Sequence, residues 1–257
     1  MFPRVVAVFA SLVWLVGIQG ADAHADEIKV LCANGMRAVL TELRPQLERA
    51  VGQEIALSFD EAGVLRKRIL NGESVDLVVL PRVVLDKVLA DGNVVKGTLV
   101  DLAQSPMGLG VRADAAKPNI TSADALRQAF LAAKSIAITD PALGGVSGPY
   151  IIEVFKRLGI TEQVGPKLKL NNGGSNSEFI ARGEADMAAQ PKHEILAVPG
   201  VQFIPLPAEF ERTFVFSAAL ASRAGNTDSA KTILHLLVGP QALEAIQAKG
   251  MDLIASK

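Results

Sequence analysis

The sequence predicts an α/β fold in which one set of strands and helices is inserted into another, leaving a cleft between the two. Three observations lead there. Strand and helix patterns alternate three times over residues 27–90, the rhythm that builds parallel sheets with helices on their faces. The alternation is interrupted at Ala103-Gln104-Ser105-Pro106 and again at Pro205-Leu206-Pro207, and a second α/β set lies between these breaks. Turns rich in glycine follow several strands, at the carboxyl ends where open α/β sheets bind ligands.

Taken in order, residues 27–32 read as a strand and Ala33-Asn34-Gly35 as a turn into a helix from Met36. Apolar residues at 36, 39, 40, 43, 47, 50 and 51 keep one face of that helix, Pro45 should kink it and Gly52 should end it. Ile55, Leu57 and Phe59 alternate as a second strand, and Asp60-Glu61-Ala62-Gly63 opens a helix over 64–70. Residues 76–80 form a continuously apolar third strand, and Pro81 suits the first turn of a helix reaching Ala90. Beyond the first break come a strand at 107–112, a helix over 123–133 and a strand at 135–138. Strands at 168–170, 185–190 and 201–204 and a helix at 177–182 complete the inner set; a strand at 214–220 and two helices close the chain. The chain then divides into 26–104 plus 206–257 as one domain and 105–205 as the inserted one.

Between the strand at 135–138 and a helix at 151–158 lies Thr139-Asp140-Pro141-Ala142-Leu143-Gly144-Gly145-Val146-Ser147-Gly148-Pro149-Tyr150. The first N–H groups of a helix lack intrahelical partners and carry partial positive charge, so glycines that let a ligand approach make an anion site. No Gly-Lys-Ser/Thr follows, so it is not a nucleotide phosphate loop. The other reading is a loop that needs glycines only to turn.

Among the 257 residues, 49% are hydrophobic and 21% charged, the balance of a chain able to bury a large core. A net charge of −1 gives nucleic acid no electrostatic footing, so any anion must be held by local geometry. A basic start, an apolar run over 5–18 and Ala21-Asp22-Ala23-His24-Ala25 predict a signal peptide at 1–25 and export to the periplasm. The run is shorter than the roughly 20 residues of a spanning helix. Cys32, the single cysteine, leaves no internal disulfide and lies away from the cleavage site, against lipid attachment.

Several segments carry a family resemblance: Gly35-Met36-Arg37-Ala38-Val39, 62–69, 75–81, the 139–148 loop, Ala181-Arg182-Gly183-Glu184-Ala185-Asp186 and 199–209. In this order they resemble the extracytoplasmic solute-binding proteins of ABC importers, in the molybdate-binding-like branch. The resemblance implies a two-domain type II periplasmic-binding-protein clamshell, a monomer that closes on a small anion and delivers it to a membrane permease. No cofactor and no enzymatic activity are expected, and no histidine or cysteine pairs at the spacing of a metal site. Transferred to this chain, the ligand contacts are Asn34, Gly35, Arg37, Gly63, Ser147, Gly148, Ser175, Asn176 and Gln190. Relative to the family pattern, Asn34-Gly35 and Gly63 stand where serines are usual, and Gln190 takes the place of a tyrosine. Fewer hydroxyls and an added arginine favour an organic carboxylate over molybdate, since guanidinium grips carboxylate in a bidentate way.

Each residue also has a plainer reading. Asn34 can cap its helix, Arg37 and the Arg66-Lys67-Arg68 run can be solvated, Asp140 can serve its turn and Tyr150 can pack. A serine–histidine hydrolase using His193, the one histidine near the cleft loops, is the enzymatic alternative; Gly145-Val146-Ser147-Gly148-Pro149 lacks the last glycine of a nucleophile elbow. A ligand-sensing module without transport is a third reading.

Overall fold

The computed structural model describes residues 27–254, so the predicted signal peptide lies outside the described residues. β1 (Ile28–Ala33), α1 (Arg37–Val51), β2 (Ile55–Asp60), α2 (Ala62–Leu70), β3 (Leu77–Pro81) and α3 (Arg82–Ala90) form the three predicted strand–helix units. β1 lies between β2 and β3 and runs parallel to both, with Val30 opposite Leu57 on one side and Leu77 on the other. All five residues of β3 are buried, as its unbroken apolar run requires of a strand covered on both faces. α1 buries Val39, Leu40, Leu43 and Leu47, runs on past Pro45, and stops at Gly52, whose φ of 67° is the left-handed cap. Pro81 is not in the first turn of α3 but ends β3 and caps the helix, because its fixed φ of −53° suits that position equally.

The first predicted break is no break in the backbone. β4 (Val100–Arg112) runs through it for 13 residues and changes partners on the way. Its first half pairs antiparallel with β9 (Thr213–Leu220), from Val100 opposite Ala218 to Pro106 opposite Thr213. Its second half pairs with β7 (Met187–Pro191) and β8 (Val201–Pro205). A proline at position 106 reads as an interruption in the sequence, yet the ladder continues one residue on, where Met107 N–H donates to Arg212 O at 2.7 Å.

Within the second section, α4 (Ala123–Ala132) is capped by Ser122, which accepts from Ala125 N–H. β5 (Ile136–Thr139) lies parallel to β6 (Leu168–Asn171) and β7. α5 (Ser147–Arg157) begins four residues before the predicted start, because Pro149 sits in the first turn, where its missing N–H costs nothing. α6 (Thr161–Val164), α7 (Ser177–Ala181) and α8 (Lys192–Leu196) are short, and of the three only α7 is expected from the sequence. α9 (Thr227–Leu236) and α10 (Pro240–Ala248) close the fold. The strand order is β2-β1-β3-β9-β4-β7-β5-β6, with β8 on β4. The sheet is therefore mixed, not wholly parallel: β4 leaves the first section and β9 returns to it, so the two run in opposite directions.

Packing is continuous across both sections; Phe130 and Phe155, both fully buried, meet edge to face at 5.0 Å. Cys32 is buried and unpaired. One buried carboxylate ties the first section together. Asp76, 4% exposed, accepts from Lys29 N–H at 2.9 Å and Asn226 Nδ2 at 3.2 Å on one oxygen, and from Asn226 N–H at 2.8 Å on the other. It joins the start of β1 to the loop before α9. Asp76→Ala would leave these donors unpaired, so unfolding in urea should show a loss of about 2–3 kcal/mol; a change within 0.5 kcal/mol would mean that water replaces the carboxylate without cost.

Candidate cleft at the strand ends

The carboxyl ends of β1, β2, β3, β5 and β7 and the loop after β6 open on one cavity of about 940 Å³. Its geometry rests on glycines. A Cβ on Gly35, just after β1, would stand 2.7 Å from the Phe216 ring and 3.2 Å from Glu194 Oε1 of α8. A Cβ on Gly145, before α5, would stand 2.5 Å from Glu61 Oε2 of the β2–α2 turn. Each section thus sends one carboxyl across the cleft to a glycine of the other. A third contact joins the rims: a Cβ on Gly63 would meet Leu143 O at 2.5 Å and Gly144 Cα at 2.6 Å.

The two carboxyls are held differently. Arg37 donates to Asn34 Oδ1 at 2.7 Å, and Asn34 Nδ2 donates to Glu61 Oε1 at 3.1 Å, so a relay of two hydrogen bonds joins cation to carboxylate. Arg37 is itself stacked over the Phe59 ring at 4.3 Å. Asn34 does not cap its helix: its side chain is committed to Glu61 and Arg37. Among the described residues, no hydrogen-bond donor reaches the Glu194 carboxyl. Its nearest cation-forming neighbour, His193 Nε2, is 3.8 Å away and already bonds Gly35 O at 2.9 Å. That bond assigns the imidazole proton to Nε2, leaving buried Nδ1 without a partner.

Burial, then the nearby Glu61 charge, pushes the Glu194 carboxyl up to about 8. The side chain's 28% exposure opens onto the cavity that it lines. Glu61 is raised too, by burial first, with the Asn34 amide pulling it back. His193 is lowered to about 4, mainly by burial and slightly by Lys192, against the pull of the Gly35 carbonyl. At neutral pH the cleft therefore presents a neutral imidazole and a protonated Glu194.

Of the predicted contacts, Asn34, Gly35, Arg37, Ser147 and Ser175 line the cavity. Gly63, Gly148, Asn176 and Gln190 do not; they stand behind the wall. Gly63 forms the rim contact, and Gly148 packs where a Cβ would lie 2.3 Å from Thr139 O. Gln190 Oε1 accepts from Asn176 N–H at 2.6 Å and its Nε2 donates to Ser175 Oγ at 2.7 Å. Asn176 Nδ2 donates to Ala189 O at 3.0 Å and to Thr139 Oγ1 at 3.3 Å. The amides expected to meet the ligand instead set the loop that carries Ser175. Val146 offers α5 no side-chain cap, and both Val146 and Ser147, at the start of that helix, line the cavity.

Tyr150 donates to Phe210 O at 2.6 Å and Asp140 accepts from Ala142 N–H, so both take their plainer readings, and Arg82 pairs with Asp86 and Asp101. Ser147 Oγ donates to Thr139 Oγ1 at 3.4 Å, and no hydrogen bond joins Ser147 to His193, so no hydrolytic dyad is assembled. Glu61, Glu194, Thr139 and Phe216 went unrecognised in the sequence. The one available signal was position: Glu61 ends a strand within the 60–63 turn, and Glu194 follows the histidine already singled out.

A family model described as bacterial extracellular solute-binding protein matches residues 28–252. The aconitate isomerase of a Pseudomonas species is 29% identical, over 98% of this chain and 97% of that protein. The molybdate-binding protein ModA of Rhodobacter capsulatus is 24% identical over 97% of each. Among solved structures, the periplasmic molybdate-binding protein of Azotobacter vinelandii superposes with a TM-score of 0.71 at 22% identity, covering 89% of this chain and all of that one. The fold is the two-domain type II clamshell of periplasmic binding proteins.

The perturbed groups set opposite pH slopes on stability. His193 binds fewer protons folded than unfolded between pH 4 and 6.5, so it adds stability as pH rises through that window. Glu194 binds more protons folded than unfolded between about 4.5 and 8, so it removes stability as pH rises. Above 6.5 only the second slope remains of these two. The melting temperature should therefore fall from pH 6.5 to 8, and Glu194→Gln should flatten that fall; a variant that keeps the full decline would place its cause elsewhere.

Proposed function

The chain belongs to the bacterial extracellular solute-binding protein family, and from that premise we propose that its cleft captures a small organic carboxylate and presents it to the permease of an ABC importer. One observation carries the choice of ligand: a cavity of about 940 Å³ with few free hydroxyls. A tetrahedral oxyanion is small and needs short donors converging from every side, whereas Thr139 and Ser147 bond each other and Gly35 and Gly63 supply no hydroxyl. Space of this size, with apolar wall at Ala33, Pro81, Val146 and Phe216, suits an organic ligand. The relative named for aconitate, itself a small polycarboxylate, supports that reading; the relative named for molybdate supports the anion.

In this reading Asn34, Arg37, Ser147, Ser175 and the start of α5 contact the ligand, and Gly35 provides the room. Gly63, Gly148, Asn176 and Gln190 support them. The domains are 26–104 with 206–257 and 105–205, and closure hinges where β4 changes partners and where β8 leads to β9. The protein acts as an exported monomer.

A second reading is favoured by the two carboxyls. Moving the double bond of an unsaturated acid requires one group to take a proton from carbon and another to return one. Glu61, with its amide donor, and Glu194, without any, differ in the way such a pair must. The family and the matched solved structures are binding proteins, while the relative at 29% identity is named as an isomerase.

A thermal-shift panel separates the ligands, because a ligand at 100 times its Kd adds about 2.7 kcal/mol. Trans-aconitate, citrate or succinate should raise Tm by several degrees, and molybdate, sulfate and phosphate should not. Strong stabilisation by micromolar molybdate with every carboxylate silent would reverse the assignment. Proton NMR of trans-aconitate incubated with the protein then decides between the readings: an unchanged spectrum means capture, and growth of cis-aconitate signals means isomerisation.

A further inference from the structure

We propose that Glu194 is the residue that recognises the ligand's carboxylate: it enters the complex protonated and donates its O–H to that carboxylate, so that capture is coupled to a proton. The inference rests on the reading of the ligand as an organic carboxylate and adds the group that selects it.

The geometry carries the argument. An acidic side chain on the wall of an anion site would repel its ligand unless it were neutralised by a cation or by a proton. Arg37 on α1 is spoken for by Asn34 and, through it, serves Glu61. Of the other charged groups lining the cavity, Glu42 on α1 pairs with Lys249 after α10, and Glu178 on α7 pairs with Arg182. Lys192, beside His193, pairs with Asp252 at 2.8 Å. His193 is neutral, and its one N–H is used by Gly35 O. Among the described residues lining the cavity, no cation is left for Glu194.

Two carboxyls that influence each other across a cleft divide their protons unequally, and the one with a donor ionises first. Asn34 supplies that donor to Glu61 alone. Glu194 Oε1 lies over Gly35, which has no side chain to cover it, and the nearest side-chain cation former, His193 Nε2 at 3.8 Å, already gives its proton to Gly35 O. A protonated carboxyl so placed has one strong O–H to offer a ligand that enters the cavity it lines. Its ordinary pH range would leave it charged; burial and Glu61 move it to about 8.

Calorimetry with trans-aconitate in buffers of different ionisation enthalpy reads the coupling, since all three ligand carboxyls stay ionised from pH 6 to 9. Uptake should be near zero at pH 6 and approach one proton per ligand at pH 9, with affinity falling up to tenfold per pH unit above 8. Glu194→Gln, which keeps an N–H donor, should bind with no uptake and no pH dependence, and Glu194→Ala should bind weakly at every pH. Carbon NMR of the ligand-free protein supplies a ligand-independent readout: the Glu194 carboxyl should titrate well above the carboxylate range and move down in Glu61→Gln. A Glu194 midpoint near 4.5, proton release on binding, or tight binding at pH 9 without uptake would overturn the proposal. If no carboxylate binds while Glu194 still titrates near 8, the ligand reading fails and, with it, the assignment of Glu194 to a carboxylate.

Discussion

The cleft depends on three places where a backbone or a carboxyl comes too close for a side chain to intervene. Glu61 reaches Gly145, Glu194 and Phe216 reach Gly35, and Gly63 meets the 143–144 turn. At Gly63 an added Cβ would meet backbone at 2.5–2.6 Å, at Gly35 it would meet the buried Phe216 ring at 2.7 Å, and at Gly145 it would displace the Glu61 carboxyl from its place at 2.5 Å. These contacts cross from one section of the sheet to the other, so the same glycines that bring the walls together also bring the two carboxyls within electrostatic reach. Remove the close approach and the raised Glu194 loses one of its two causes. What a glycine-rich loop offers here is therefore less a turn than a distance.

Behind this first layer, a buried polar network fixes the loops. Asn171, Asn176, Gln190 and Thr139 bond one another and the backbone of β7, and each is buried with its polar atoms satisfied. Buried amides cost free energy unless paired, and a fully paired set is rigid. That rigidity holds Ser175 at the cavity and the end of β5 beside α5. Any exchange at Gln190 would therefore act on the ligand indirectly, through the position of Ser175 Oγ at 2.7 Å.

The first section was legible from periodicity because its strands are fully apolar and its helices amphipathic; only the boundaries shifted, as at Pro81. β4 was not legible as one strand, since Pro106 signals a break to any reader of local sequence while the pairing that carries the strand through it comes from β9 and β7, more than 75 residues away. α8 is five residues long, too short for a periodic signal, and it carries both His193 and Glu194. The site was half legible. Positions that line the cavity because they lie at a strand end, such as Asn34 and Ser147, followed from topology. Asn176 and Gln190 were assigned by residue type, and an amide side chain reads the same whether it faces a ligand or a neighbouring loop. Glu61 and Glu194 were missed for a simpler reason: a carboxylate is not sought in an anion site until its protonation is known.

That last point bears on why serines are absent at Asn34-Gly35 and Gly63. A hydroxyl donates at every pH and to any oxyanion of the right size. Without a side chain at position 35, the space is taken by Glu194 Oε1 and the Phe216 ring, and on the proposal made for Glu194 the donor there is one that exists only while protonated. Such a donor distinguishes ligands by basicity as well as by shape, since a carboxylate accepts a carboxyl proton into a short, strong hydrogen bond and a weakly basic oxyanion does so less well. It also costs something at rest: keeping a carboxyl in the cleft lowers stability at alkaline pH, a penalty that the neighbouring neutral His193 does not offset above pH 6.5. On the proposal made for Glu194, this loss of stability at alkaline pH accompanies the hydrogen bond that the carboxyl gives a ligand.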